Sequence, residues 1–169
     1  INEHNATRKA LDQVITQEAI QQIVSLKEED RKSTVVFQEE WHKGVIGIVA
    51  SRLTENYYRP TVVFTQSNGV LAGSARSVKG FDVYNALSAC AEELEQFGGH
   101  MYAAGMTMAP EKYDAFKAKF EEVVSATVTQ EQLTPVIAYD EELLLSKITD
   151  KFYRVMKQMS PFGPENMAP

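Results

Sequence analysis

One stretch of this 169-residue chain combines small residues with a side chain that can bind an anion. Residues 98–105 read Gly-Gly-His-Met-Tyr-Ala-Ala-Gly. Adjacent glycines can adopt positive φ and expose their N–H groups, so Gly98 and Gly99 could form an anion-binding nest. His100 follows directly and can supply a further hydrogen-bond donor. The stretch therefore predicts an anion site, although a glycine pair can equally mark an ordinary turn.

A second stretch, residues 73–77, reads Gly-Ser-Ala-Arg-Ser. Ser74 and Arg76 are two residues apart, so on a strand their side chains would point to the same face. A hydroxyl and a forked guanidinium on one face suit phosphate oxygens, which accept bidentate hydrogen bonds. Together with the neighbouring Ser77, these residues predict the second half of a phosphate-backbone site.

A third stretch places Trp41 and His42 where a strand is expected to turn into a helix. Gly44 and Gly47 follow in the first helical turns, where the N–H groups point outward and favour anions. Trp41 and His42 are therefore candidates for the same site. The alternative is that Trp41 packs in the core and His42 makes a structural hydrogen bond, and the sequence leaves both open.

The sequence shows no motif of a self-contained catalytic centre. A metal site needs clustered His, Cys, Asp or Glu, and the three histidines, His4, His42 and His100, have no Asp or Cys at ligand spacing. Nucleophile-elbow, Walker and dinucleotide-binding motifs are also missing. We therefore expect this chain to bind a substrate and to hold no metal itself.

Composition is that of a globular domain, with 44% hydrophobic and 24% charged residues. No apolar run approaches the roughly 18 residues of a membrane span, so no membrane partner is expected. The single cysteine, Cys90, excludes an internal disulfide and fits a cytoplasmic location. A net charge of −6 argues mildly against nucleic acid, but the glycine-rich stretches hold cations, so a local basic patch is compatible with it.

The hydrophobic pattern predicts an α/β fold with a mixed central sheet of about five strands flanked by helices. Asn68-Gly69 predicts a hairpin turn. The expected strands are 34–37, 61–65, 70–76, 105–108 and 135–139. The expected helices are 5–27, 45–53, 82–97, one beginning at Pro110 and a final one capped by Ser146. The first helix has an apolar stripe that must pack on something, for which a domain outside this chain is one candidate.

The helix 82–97 matters for the site because of its ends. Asp82 is a candidate N-cap, and Gly98 would end the helix in the left-handed conformation that glycine favours. Gly98 would then be both a C-cap and part of the nest.

Three motifs resemble the DHHA1 domain of RecJ-type exonucleases, which act on single-stranded DNA and belong to the DHH phosphoesterase superfamily. These motifs are WHKGVIGIVASRL, GSARSVKGFDVYNAL and FGGHMYAAGMTM. The resemblance implies three parts. Residues 1–32 would be a connector helix from a missing DHH domain, 33–142 the DHHA1 domain, and 143–169 a C-terminal helix and linker toward a missing OB-fold.

The resemblance also implies what each part does. In the family, Mn²⁺ or Mg²⁺ in the DHH domain supports phosphodiester hydrolysis, 5′→3′, in DNA repair and recombination, so this chain alone is expected to be inactive. Gly98, Gly99 and His100 match the family's phosphate-contacting motif, with His100 a candidate stabiliser of the transition state. Ser74 and Arg76 match its basic strand. Single-stranded DNA is the implied substrate, and single-strand-binding protein is a candidate partner of the parent.

Two other functions stay open at this point. Related DHH–DHHA1 phosphodiesterases act on oligonucleotides or small nucleotides and share the Gly-Gly-His run, but we expect them to lack the Pro-Phe-Gly-Pro sequence of residues 161–164. A non-catalytic nucleic-acid-binding module is the third possibility.

Overall fold

The computed structural model describes residues 2–137, 139, 141–163 and 166, and the side chains from residue 8 onward. Within it the chain forms two compact units, one ending at Pro135 and one beginning at Val136. The division of the chain into DHH connector, DHHA1 domain and OB-fold linker stays a prediction.

The first unit is built on a five-stranded mixed sheet, which confirms the predicted fold class. Its spatial order is β1-β2-β3-β5-β4, with β1 parallel to β2 and every other neighbouring pair antiparallel. The strands are β1 Thr34–Phe37, β2 Thr61–Ser67, β3 Val70–Arg76, β4 Gln96–His100 and β5 Ala103–Met108. Asn68 and Gly69 turn the β2–β3 hairpin with φ of 53° and 82°, as the two-residue turn requires.

Helices cover both faces of this sheet because its strands alternate apolar side chains above and below. On one face, Phe64, Leu71 and Met106 pack with α3 (Val83–Ser88) and α4 (Tyr113–Thr127). On the other, Val36 and Val63 pack with α1 (Asn2–Ser25) and α2 (Ile46–Tyr57). Adjacent valines at 62 and 63 thus belong to different cores.

Part of the apolar stripe of α1 is covered within this chain, whereas Leu11 and Val24 stay exposed. Ile15, Ala19 and Ile23 are buried against the core that also contains α2. Gln22 of the same helix exchanges two hydrogen bonds with the backbone of Phe37, donating to its carbonyl at 3.0 Å and accepting from its N–H at 3.1 Å. The helix therefore covers the outer edge of β1, which would otherwise leave unpaired backbone groups.

The structure corrects the predicted helix 82–97. Asp82 is the N-cap and accepts from the Asn85 N–H at 3.0 Å, but α3 ends at Ser88, and a 3₁₀ turn at Ala91–Glu93 follows it. Residues Gln96–His100 form the edge strand β4 instead. Gly98 therefore does not cap a helix, because pairing with β5 recruits these residues to the sheet.

The second unit also differs from expectation. The described residues 135–137 and 139 form no strand, and Ala138 lies outside the described residues. The final helix is α5 (Asp150–Gln158), and its N-cap is Thr149, whose hydroxyl accepts from the Phe152 N–H at 3.2 Å. Ser146 lies in a preceding 3₁₀ turn. Pro164, the last residue of the Pro-Phe-Gly-Pro sequence at 161–164, lies outside the described residues.

Across the parts of the chain that the structure describes, every helix is too short or too polar to cross a bilayer.

Candidate functional site

A cleft of about 600 Å³ opens over strands β3, β5 and β4. The strand register places Ser74, Gly105 and Gly98 side by side in one row across these strands. Cross-strand partners project to the same face, so this row is a floor on which two of three positions carry no side chain.

A parallel row flanks this floor at the end of β3. Arg76 pairs with Ala103, and Ala103 pairs with His100. Arg76 therefore lies on the same face as Ser74, as the sequence predicts, and its Nη1 donates to the Ser74 hydroxyl at 3.1 Å. His100 is exposed at the β4 end of this row, and it is not among the residues that line the cleft.

The wall opposite the floor comes from the beginning of α2. Gly44, Ile46 and Gly47 line it, and Val45 at the N-cap offers no side-chain hydrogen bond to the first helical N–H groups. An uncapped helix N-terminus presents donors and partial positive charge. A Cβ at Gly47 would lie 3.0 Å from Arg76 Nη2 and 3.2 Å from the Ser74 hydroxyl oxygen, so a larger residue here would displace these two side chains by a few tenths of an ångström.

The charge lining the cleft is positive. Lys43 and, from α1, Arg8 join Arg76 in the lining, and the lining residues that the structure describes include no Asp or Glu. The acidic balance of the chain as a whole, −6, is therefore carried elsewhere.

Arg76 is half-buried without a counter-ion. Its Nη1 donates to Ser74 and to the Ala75 carbonyl at 2.7 Å, and within the described residues it forms no ion pair with a carboxylate. Burial lowers the pKa of Arg76, yet a guanidinium stays charged at any physiological pH. A partly desolvated cation with remaining donors is a strong attractor for an anion such as phosphate.

A backbone contact at the end of β4 favours one tautomer of His100. The Tyr102 N–H donates to His100 Nδ1 at 3.3 Å. Because Nδ1 accepts, the neutral ring carries its proton on Nε2, which can donate to a ligand.

A comparison with known protein families identifies the domain. The family model described as "DHHA1 domain" matches residues 30–126, more than half of the chain. The chain belongs to the DHHA1 domain family.

The similar proteins are exonucleases that are longer than this DHHA1 chain. It is 36% identical to the single-stranded-DNA-specific exonuclease RecJ of Bacillus subtilis, over 100% of this chain and 22% of that protein. RecJ of Thermus thermophilus in complex with Mg²⁺ superposes with a TM-score of 0.83 at 27% identity, covering 99% of this chain and 26% of the other. The Mn²⁺ complex of the same protein gives 0.82 at 29% identity over 99% and 24%. This chain thus spans about a quarter of these relatives.

The DHHA1 motif glycines do not form the nest that the sequence suggests. Gly98 faces the cleft, whereas Gly99 pairs with Ala104, which faces the opposite core. Gly99 has φ of 152°, and a Cβ there would collide with the Ala103 carbonyl and with Ala104 Cα. Both glycines belong to a β-ladder. Gly98 leaves the cleft floor flat, and Gly99 allows its backbone to lie close to that of Ala103 and Ala104.

Three other predicted site residues lie away from the cleft. Trp41 is 5% exposed within the core, and its Nε1 donates to Glu18 at 2.8 Å. His42 is exposed outside the lining, and its Nδ1 accepts from the Gly44 N–H at 3.0 Å. Ser77 donates its hydroxyl to the Phe81 carbonyl at 2.8 Å. These contacts are those of the structural alternative for Trp41 and His42, and a role for either residue in binding stays a prediction.

Sequence reasoning missed Arg8 and the floor position Gly105. Arg8 is more than 60 positions before Ser74 in a helix that reads as a connector, and no local signal assigns it to the cleft. Gly105 closes the same motif as Gly98, and only the register shows that the two are neighbours. Among the residues described, no group of three or more His, Cys, Asp or Glu is arranged to hold a metal ion.

Proposed function

We propose that this chain is the substrate-binding part of a RecJ-type exonuclease that hydrolyses single-stranded DNA, and that its cleft binds a backbone phosphate of the substrate. The similarity to RecJ proteins over the whole chain supports the reaction. The polarity, 5′→3′, and the role in DNA repair and recombination rest on the family resemblance.

The observation that carries the proposal is Arg76, half-buried over a flat floor and without a carboxylate partner in the described chain. A phosphate can approach this floor closely because Gly105 and Gly98 have no side chains. Arg76 then supplies its remaining donors to the phosphate oxygens, and the N-terminus of α2 supplies further positive potential.

Hydrolysis is assigned to the part of the parent outside this chain. The Thermus relatives contain Mg²⁺ or Mn²⁺, and a divalent ion supplies an activated water and polarises the phosphate. The residues of this chain bind the backbone and orient it. His100 donates from Nε2 to a non-bridging oxygen, which stabilises the charge that grows on that oxygen in the transition state.

The test uses the full-length protein with EDTA, so that DNA binds without being cleaved. Fluorescence anisotropy of a labelled single strand is measured across a salt series for wild type, Arg76→Ala and Lys119→Ala. Lys119 is a partly buried cation on α4, on the opposite face of the sheet, where it pairs with Glu122. We expect Arg76→Ala to weaken binding and to reduce the slope of log K against log salt by about 0.7, the loss of one phosphate contact.

Turnover separates His100 from simple binding. With divalent metal restored, we expect His100→Ala to lower kcat about 10²-fold, as the loss of one oxyanion donor does. Wild-type kcat in this variant would remove His100 from the mechanism. Equal affinities for Arg76→Ala and Lys119→Ala would refute the phosphate site.

A further inference from the structure

A second cavity, of about 430 Å³, adjoins the cleft at Arg76, which lines both. Its other lining residues come from α2, from the loop after β3 and from the β4–β5 turn. We call it the Tyr102 pocket; it is lined by Ser51, Thr54, Glu55, Arg76, Ser77, Lys79 and Tyr102.

The aromatic side chain in this pocket is exposed but held by its backbone. Tyr102 is 44% exposed. Its N–H donates to His100 Nδ1, and its carbonyl accepts from the Ser77 N–H at 3.1 Å. The preceding Met101 carbonyl accepts from the Val83 N–H at 3.0 Å. The turn that presents the phenol ring is thus tied to two neighbouring segments, the loop after β3 and the beginning of α3, which lowers the entropy lost when a ligand stacks on the ring.

The walls of the Tyr102 pocket offer few polar donors. Ser51 donates its hydroxyl to the Gly47 carbonyl at 3.1 Å, and Thr54 donates to the Ala50 carbonyl at 2.9 Å. Ser77 is likewise occupied by the Phe81 carbonyl. The hydroxyl protons of Ser51, Thr54 and Ser77 are therefore used within the protein. The pocket also contains an aromatic face, Tyr102, and two cations, Arg76 and Lys79.

One carboxylate, Glu55, also lines the pocket. Its charge also acts on Arg52 of the same helix. The pKa of Arg52 is raised mainly by the hydrogen bond to Asp12, and Glu55 makes the smallest contribution. The two cations of the pocket exceed this single carboxylate, so the local balance still favours an anionic strand.

We propose that the Tyr102 pocket binds the nucleotide adjacent to the one whose phosphate lies in the cleft, with its base stacked on Tyr102 and its phosphate near Lys79. This inference rests on the proposed function, because it extends the same strand past Arg76. Stacking on an aromatic face accepts any base, and cations on either side follow the backbone, which is the usual way single strands are bound without sequence preference.

The test uses a series of single-stranded oligonucleotides, each with the fluorescent base 2-aminopurine at a different position. Each oligonucleotide is bound to the full-length protein in EDTA. We expect one position at which wild type and Tyr102→Phe quench the probe and Tyr102→Ala does not. Tyr102→Ala should weaken binding about 5- to 100-fold, the effect of losing one stacked base. The matched control is Tyr84→Ala, which removes a 38% exposed tyrosine that lines neither cavity; its binding should equal wild type.

An abasic site then tests the register. At the quenched position, it should make wild type and Tyr102→Ala bind equally, whereas elsewhere the difference between them persists. The proposal for the Tyr102 pocket would be refuted if Tyr102→Ala bound DNA as tightly as wild type. It would also be refuted if the loss of affinity in Tyr102→Ala were the same wherever the abasic site lies. If Arg76→Ala still weakens binding in that case, the cleft stands and only the pocket fails. If wild type does not bind, or if Arg76→Ala binds as wild type does, the proposed function fails with it.

Discussion

Alanine at Gly98 and alanine at Gly99 are expected to have opposite effects, although the two glycines are adjacent. A Cβ at Gly98 meets no atom within 4 Å, and its φ is not positive. Gly98→Ala should therefore raise the free energy of unfolding by about 0.4–1 kcal/mol, because alanine loses less backbone entropy on folding. A Cβ at Gly99 meets the backbone of Ala103 and Ala104 at φ 152°. Gly99→Ala should lower that free energy by about 1–3 kcal/mol.

Binding should change in the variant that gains stability. The methyl of Gly98→Ala projects into the cleft and raises the floor by about 1.5 Å, one carbon–carbon bond. A phosphate displaced by that distance loses hydrogen-bonding geometry with Arg76 or Ser74, and one hydrogen bond to a charged group contributes about 1.5–3 kcal/mol. We therefore expect the Kd for single-stranded DNA to rise at least about tenfold.

Two measurements on the same samples check this prediction. Urea unfolding gives the stability of wild type, Gly98→Ala and Gly99→Ala, and anisotropy in EDTA gives their affinity for a labelled single strand. Gly105→Ala is a second floor variant, since its Cβ would meet only the Gly73 carbonyl, at 3.9 Å. Unchanged affinity in both floor variants would show that no ligand lies on the floor. A Gly99→Ala protein as stable as wild type would refute the argument from backbone contact.

Two further predictions concern residues outside the cleft. Trp41→Phe removes the hydrogen bond to Glu18 but keeps an aromatic ring in the core. Urea unfolding should therefore show a free energy of unfolding lower by about 1 kcal/mol, and the affinity for DNA should not change. Weaker DNA binding at equal stability would show that Trp41 takes part in the site. Burial raises the pKa of Cys90 to about 11, above its unfolded value of about 8.5. The unfolded chain therefore loses its thiol proton first, and stability should fall by up to about 1.4 kcal/mol per pH unit between these values. Cys90→Ala should show a shallower decline over the same range, and an identical slope would contradict the assignment.

The elements specified by neighbouring residues could be predicted from the sequence. The β2–β3 hairpin follows from Asn68-Gly69 after the β-branched run of β2, and the shared face of Ser74 and Arg76 follows from the period of a strand. The inner stripe of α4 is equally local, with Phe116, Phe120 and Val124 buried at helical spacing.

Strand β4 could not be predicted because a non-local partner decides it. The residues after Asp82 have a helical apolar pattern, and Ala86, Leu87 and Cys90 are indeed buried. The backbone leaves the helix at Ser88, and Gln96–His100 then pairs with β5. The predicted number of strands was right, but β4 replaces the strand expected at 135–139. The nest predicted at Gly98 and Gly99 assumed positive φ at both glycines, whereas Gly98 in β4 does not have it.

The register explains how an acidic chain can present a phosphate site. Along β3, β5 and β4, one set of alternate residues, including Ala75, Ala104 and Met106, enters the core beneath α3 and α4. The other set forms the cleft floor and the row beside it, which carries the cation Arg76. The first turn of α2 lines one side of the cleft and leaves the floor open, and its Gly47 lies next to Arg76 and Ser74. The same alternation that builds the core therefore exposes the cation, and the 23 acidic residues leave the described lining of the cleft without a carboxylate.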